Sequence, residues 1–306
     1  KMYIYEVRQQ AASEKMSVLS SNGLEITLDV TLWFEPKYSQ LGLLHQEKGT
    51  DYSLRVVKPA IGAATKSVIG RYTPEEIYST KRDIIEYYGT NEEKIKVVHL
   101  GVESRFCPIS NVEEYRQKNK LPSKMILNVG TLEPRKNVIT LIKAYKKLRE
   151  KGFEDYKLVI AGEKGWLYKE IFKEIGTRGL QKEVLFLGNV ADEDLPNLYN
   201  CADLFVYPSL YEGFGLPPLE AMACGIPVIT SNTSSLPEVI GNAGIMVDPG
   251  DVNSLSEAMY NVLEDKELRS QMSKNGLKRA KLFSWEKAAK EILEIYDEVL
   301  TVYKSQ

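Results

Sequence analysis

The chain has 306 residues, 43% hydrophobic and 27% charged, with 40 basic against 42 acidic side chains and a net charge of −2. That is the composition of a soluble globular protein with enough core for two domains, and it offers nucleic acid no overall attraction. No apolar run reaches the roughly 18 residues of a membrane span, no signal peptide is expected, and the start at Lys1 leaves room for an upstream segment. Cys107, Cys201 and Cys224 are far apart and odd in number, which argues against a disulfide framework or zinc site and for reduced thiols in a cytoplasmic compartment.

In chain order, residues 24–34 alternate strictly, with Leu24, Ile26, Leu28, Val30, Leu32 and Phe34 on one face, the pattern of a half-buried strand. Asn22-Gly23 before it predicts a turn back to a partner strand in KMSVLS. From Asp51 to Ile69 the apolar residues Leu54, Val57, Ile61, Ala64 and Val68 recur at helical spacing, with a kink expected at Pro59. Thr73-Pro74-Glu75-Glu76 then reads as a capping box opening a helix that stops at Gly89. IKVVHL (95–100) reads as a strand; His99 in it, and His45 in a helix, are read as structural.

After residue 95 the rhythm changes. Short apolar strands at 124–130, 157–162, 184–188, 203–208, 227–230 and 244–247 are separated by amphipathic helices, and 251–303 reads as terminal helices. Right-handed crossovers between such strands predict a doubly wound parallel sheet, an α/β Rossmann-like fold preceded by a smaller α+β segment. Ligands of such sheets sit beyond the carboxyl ends of the strands, which directs attention to the loops after Gly130, Gly162, Gly188, Pro208 and Ser231.

Three of these loops carry candidate chemistry. GTLEPRKN (Gly130–Asn137) leads into a helix whose first turn is expected to hold Arg135 and Lys136, a setting that suits a diphosphate; an ordinary turn with surface cations is the competing reading. AGEKGW offers Gly162 and Gly165 for close backbone approach to a ligand. In EGFGLPPLE, Gly213 and Gly215 permit a tight path presenting amide donors, and Pro217-Pro218 fits a helix start with Glu220 in its first turn and Glu212 in the preceding loop. A carboxylate accepting vicinal hydroxyls is a common grip on a sugar, while an acidic loop with a capping glutamate is the plain alternative. Asp192-x-Asp194 has the spacing of a metal-holding pair, but Asp192 reads as an N-cap and Asp194 as first-turn charge, so no metal and no cofactor is predicted. The basic stretch KAYKKLREKG (Lys143–Gly152) reads as a solvated face, with peripheral contact to an anionic membrane surface as the alternative.

The motifs VGTLEPRKN, VIAGEKG, FLGNVADEDLPNLYNCADLFVYPS, EGFGLPPLE and EAMACGIPVITSNTSSLPEV occur in order over about 220 residues. Residues 83–306 thereby resemble the C-terminal part of retaining glycosyltransferases of family 4, which have the two-domain GT-B fold. The resemblance implies that Lys136, helped by Arg135, holds a donor diphosphate near Gly130, Thr131 and Gly162. It implies further that Glu212 and the backbone of Gly213, Phe214, Gly215 and Leu216 hold the donor sugar, that Glu220 holds the ribose, and that Val190 lies by the base. Many members carry arginine where this chain has Thr131, so the cationic clamp departs from the family pattern. GTLEPRKN is similar to the mannosyltransferase branch, which makes GDP-mannose the preferred nucleotide-sugar donor, with an unidentified sugar or lipid-linked acceptor.

Residues 1–82 do not resemble the expected acceptor domain. YEVRQQ, MSVLSSNGLEITLDVTLWFEP and LHQEKGTDYSLRVVKPAIGAATKSVIGRYTPEEIYSTKR instead resemble the band 7/SPFH domain of prohibitin- and stomatin-like scaffolds, implying a capacity for self-association. The expected organisation is a fusion: a band 7-like fragment over 1–82, the remnant of a GT-B N-terminal domain over 83–108, a linker over 109–122, and the nucleotide-sugar domain with its terminal helices over 123–306. Donor binding with little transfer is the expected behaviour, and a scaffold carrying a passenger domain is the alternative.

Overall fold

The computed structural model describes residues 10–19, 25–34 and 95–304, with side chains from 95 to 299. The chain divides into two compact units, Lys1–Glu92 and Glu93–Gln306. In the first, β1 (Gln10–Leu19) and β2 (Glu25–Phe34) form an antiparallel pair running from Leu19 opposite Glu25 to Gln10 opposite Phe34. This is the expected strand with its partner; the expected Asn22-Gly23 turn, the 51–69 and 73–89 helices and His45 lie outside the described residues.

The second unit is built on a parallel sheet of six strands: β3 (Met125–Val129), β4 (Lys157–Ala161), β5 (Val184–Gly188), β6 (Leu204–Tyr207), β7 (Val228–Ser231) and β8 (Ile245–Val247). All six match the strands read from the sequence to within a residue or two. Their order is β5-β4-β3-β6-β7-β8, so the chain winds outward from β3, returns to the centre, and winds outward the other way from β6. The helices in order are α1 (Glu113–Lys118), α2 (Val138–Glu150), α3 (Lys169–Thr177), α4 (Leu195–Asn200), α5 (Leu216–Ala223), α6 (Leu236–Ile240), α7 (Val252–Glu264), α8 (Lys266–Ala280) and α9 (Trp285–Lys304). α1 falls inside the stretch expected to be a linker.

The strands are apolar on both faces because both faces are covered. Met125 and Leu127 join one core with Leu198, Tyr199, Leu219 and Met222 of α4 and α5. The intervening Ile126 joins the other, with Leu141 and Ile142 of α2, Ile171 of α3 and Met259 of α7. Segment 95–100, expected as a strand, is irregular; a single parallel bridge joins Val102 to Ser284, and His99 packs its ring edge-on to Phe283. Among the described residues, no helix is long and apolar enough to cross a membrane.

The winding reverses between β3 and β6. These strands pair only at Ile126–Leu204 and Leu127–Phe205, after which Asn128 Nδ2 donates to the Val206 carbonyl at 2.8 Å. Beyond β3, β4 and β5 the loops stay stitched: Gly130 N donates to Ala161 O at 2.8 Å and Gly162 N to Gly188 O at 2.7 Å. The contact leaves no room for a side chain, since a Cβ on Gly162 would stand 2.0 Å from Gly130 O, at a φ of +150°. Gly162→Ala is therefore expected to cost at least roughly 1–3 kcal/mol from backbone conformation, with the collision adding to it. Gly213→Ala, which meets open space, is expected to stay within about 0.5 kcal/mol. Urea unfolding of the two variants beside the parent checks the contrast.

Candidate functional site

The loop after β3 runs beside the loop after β4, with Leu132 N donating to Glu163 O at 2.8 Å and Gly165 N to Leu132 O at 3.1 Å. Thr131 is exposed here. A single 3-10 turn, Pro134–Lys136, follows, and Asn137 in the left-handed region (φ +53°) separates it from α2. Arg135 and Lys136 thus precede the helix and do not occupy its first turn. Pro134 starts the tight turn; Asn137 tolerates the left-handed backbone that ends it.

That turn carries both cations to the loop leaving β6. Lys136 is buried, 9% exposed; its Nζ donates to Glu212 Oε1 at 2.6 Å and to Tyr207 Oη at 2.5 Å. Arg135 Nη1 lies 3.0 Å from Glu212 Oε2 and donates to Tyr211 O at 2.8 Å, while Nη2 donates to Glu133 Oε1 at 2.7 Å. Glu212, 7% exposed, also accepts from Tyr207 Oη at 2.8 Å and from Ser209 Oγ at 2.6 Å, both on Oε1. Sequence reasoning singled out Arg135, Lys136 and Glu212, which the fold brings together, but not their partners Tyr207 and Ser209; the position of Tyr207 at the carboxyl end of a central strand was the available signal.

The charges are poised by opposing effects. Burial alone would raise Glu212, but Lys136 and Arg135, with hydrogen bonds from Lys136 and Ser209, outweigh it and hold the carboxyl below its ordinary value. For Lys136 burial wins over the pull of Glu212, with Arg135 adding to the depression, so the ammonium sits below the usual lysine range. Burial also works against the Arg135 charge, yet Glu212 and Glu133 carry that guanidinium above its ordinary value.

The EGFG loop is held from the other side by a serine-rich turn. Glu212 N donates to Ser234 Oγ at 3.0 Å, and Ser235 Oγ lies 3.0 Å from Glu212 O and 2.8 Å from Phe214 O. Gly215 is left-handed (φ +107°), and a Cβ there would meet Leu236 Cδ2 at 2.8 Å, so this glycine is required where Gly213 has space. Phe214 packs against Phe283 edge-on at 5.8 Å, and Leu216 opens α5. The amides of Gly213, Phe214 and Gly215 have no acceptor among the described residues. Val190 is half-buried at the edge of the first core.

Glu220 is the fifth residue of α5, so it stands in the second turn of that helix; Leu216 before the two prolines already begins it. It does not join the Glu212 cluster but accepts from Tyr199 Oη of α4 at 2.8 Å, a partner that sequence reasoning also missed. Burial raises its carboxyl above the ordinary value despite that hydrogen bond. Asp192 is not a helix cap either: α4 begins at Leu195, Asp194 takes the cap position without a side-chain bond, and Ala191 O accepts from both Asp194 N and Leu195 N. Among the described residues, no group of three or more His, Cys, Asp or Glu is arranged to hold a metal.

A carboxylate whose folded value is raised costs stability above that value and recovers it as pH falls toward the unfolded value of about 4.5. Glu220→Gln, which can still accept from Tyr199, is therefore expected to unfold at higher temperature than the parent near pH ~8. The gap should close as the pH drops below the ordinary carboxylate value, which thermal unfolding across pH measures.

Comparison with known proteins gives this geometry its relatives. The family model described as "Glycosyl transferases group 1" matches residues 111–279, and the "SPFH domain / Band 7 family" model matches residues 1–87. Over 221 residues the chain is 40% identical to O-antigen chain mannosyltransferase B of Escherichia coli, an alignment covering 71% of this chain and 58% of that protein. Sucrose-phosphate synthase from Thermosynechococcus elongatus superimposes with a TM-score of 0.64 at 27% identity, covering 72% of this chain and 57% of the synthase. The C-terminal domain of a glycosyl transferase group 1 family protein from Francisella tularensis superimposes with a TM-score of 0.54 at 29% identity, covering 60% of this chain and 97% of that domain. The chain thus spans little more than half the length of the mannosyltransferase and of the synthase. With the group 1 model matching more than half of its residues, over an α/β sheet like that of GT-B glycosyltransferases, the chain belongs to the glycosyl transferases group 1 family.

Proposed function

We propose that this chain carries the donor site of a retaining family 4 glycosyltransferase and binds a nucleoside-diphosphate sugar, with GDP-mannose the favoured donor. The observation that carries this reading is the buried Lys136–Glu212 pair, with half-buried Arg135 on the other carboxylate oxygen, at the point where the sheet reverses its winding. That point is where open α/β sheets take their ligands. An ammonium has three N–H groups; Lys136 spends two on Glu212 and Tyr207, and the third has no acceptor among the described residues. An anion is the natural partner for it. The unbonded amides of Gly213, Phe214 and Gly215 before α5 provide further donors of the kind that suit phosphate or sugar oxygens.

Glu212 Oε1 already receives three donors, so its proposed contact with the donor sugar falls to Oε2, shared with Arg135. Glu220 is proposed to meet the ribose and Val190 the base. In the reaction the bond from the anomeric carbon to the β-phosphate oxygen breaks, and an acceptor hydroxyl oxygen bonds to the same face as its proton passes to the departing diphosphate. Lys136 and Arg135 would stabilise the charge that grows on that leaving group. The name of the Escherichia coli relative supports mannose as the sugar.

Residues 1–87 match a different family from the donor unit. Donor binding with little transfer is therefore expected of this 306-residue polypeptide assayed alone, at the cytoplasmic face of a membrane or in the cytoplasm. The Band 7 match also favours a second reading of the same chain, as an assembly module, for which light scattering on the eluted protein should give a mass of several chains.

Thermal-shift assays with GDP, UDP and ADP, and with their sugars, test the donor reading. GDP and GDP-mannose are expected to raise the unfolding midpoint. Lys136→Met, which leaves Arg135 to pair Glu212, is expected to weaken GDP binding about 10- to 100-fold, the worth of one charge-assisted contact. A flat response to every nucleotide would overturn the assignment.

A further inference from the structure

Tyr207 ends β6 with its side chain 1% exposed, and its hydroxyl stands between the two central charges of the site. The hydroxyl has one proton, which it donates to Glu212 Oε1 at 2.8 Å, and its oxygen accepts from Lys136 Nζ at 2.5 Å. The Tyr207 ring is stacked on Phe205 at 5.9 Å. A lysine ammonium on its flexible stem rotates freely unless its acceptors are fixed. Here two acceptors fix it, and one of those acceptors is itself tied to the other through the Tyr207 proton.

We propose that Tyr207 is a positioning residue: its hydroxyl, bridging Lys136 Nζ and Glu212 Oε1, sets the direction in which Lys136 presents its remaining N–H to the diphosphate of a bound nucleotide sugar. The inference rests on the donor-site reading of these loops. Phenylalanine would fill the same space and keep the stack on Phe205. It would remove only the bridge. The Lys136–Glu212 ion pair would remain, but the ammonium would lose one of the two acceptors that fix its rotation.

The test is a double-mutant cycle on GDP affinity, measured by calorimetry or NMR titration with the full chain as parent, Tyr207→Phe, Lys136→Met and the double variant. Tyr207→Phe is expected to weaken GDP binding about five- to tenfold in the parent, the worth of one net hydrogen bond. It should change affinity less than about twofold once Lys136 is methionine, since there is then no ammonium to orient.

An equal loss from Tyr207→Phe in both backgrounds would make the hydroxyl merely structural and overturn the proposal, as would unchanged affinity in the parent. Loss of cooperative unfolding in Tyr207→Phe would make the hydroxyl a folding requirement and would overturn the proposal too. Parent binding that Lys136→Met leaves intact would remove the donor-site reading of Lys136, and this inference with it. Parent binding that falls with Lys136→Met but ignores Tyr207→Phe would leave the donor reading standing and remove this inference alone.

Discussion

Burying charge is the constraint around which this site is organised. An unpaired ammonium or carboxylate inside a protein costs several kcal/mol, and a pair recovers that cost only when its geometry is good and its remaining hydrogen-bonding capacity is met. Glu212 meets both conditions by taking Lys136 and Tyr207 on one oxygen with Ser209, and Arg135 on the other. Three devices deliver these partners: Arg135 and Lys136 come from a 3-10 turn after β3, Tyr207 from the last residue of β6, and Ser209 from the loop beyond it. The sheet reversal brings these ends together, so the fold's topology and the site's electrostatics are one arrangement described at two scales.

The loops could not hold such an arrangement if they were loose. The backbone bonds from Gly130 to Ala161 and from Gly162 to Gly188 extend the order of the sheet past its formal end. On the other flank, Ser234 and Ser235 fix the path of residues 212–214. Preorganised donors lose little freedom on binding, and a group that must act on a developing charge profits most from being already in place.

Much of this is legible in the chain. Six short apolar runs separated by amphipathic stretches point to the parallel sheet, since strands buried on both faces need no alternation, and ordinary loop logic singles out Arg135, Lys136 and Glu212 at strand ends. What escapes is conformational and relational. Lys136 reads as helical because PRKN runs directly into the apolar periodicity of VITLIKAY; the left-handed Asn137 that breaks the register has no unambiguous signal in sequence. Glu220 reads one turn too early because two prolines suggest the helix start, while Leu216 already begins it. Apolar IKVVHL looks like a strand, but its segment finds no ladder and ends in ring packing and one bridge. Tyr207, Ser209 and Tyr199 are ordinary as letters and acquire roles only when the fold sets a carboxylate beside each.

Asn137 has a consequence of a different kind. Its two amide hydrogens are both spent, one on Pro208 O at 3.0 Å and the other on Pro249 O at 2.8 Å, so a single side chain ties the turn after β3 to the loop after β6 and to the approach to α7. Aspartate, nearly identical in shape, has no hydrogen to give. Spontaneous deamidation at this one position, a change of a single mass unit, would face two carbonyl oxygens with a negative charge and push apart the loops they belong to. The integrity of the site thus hangs in part on an amide that touches none of the charged residues in it.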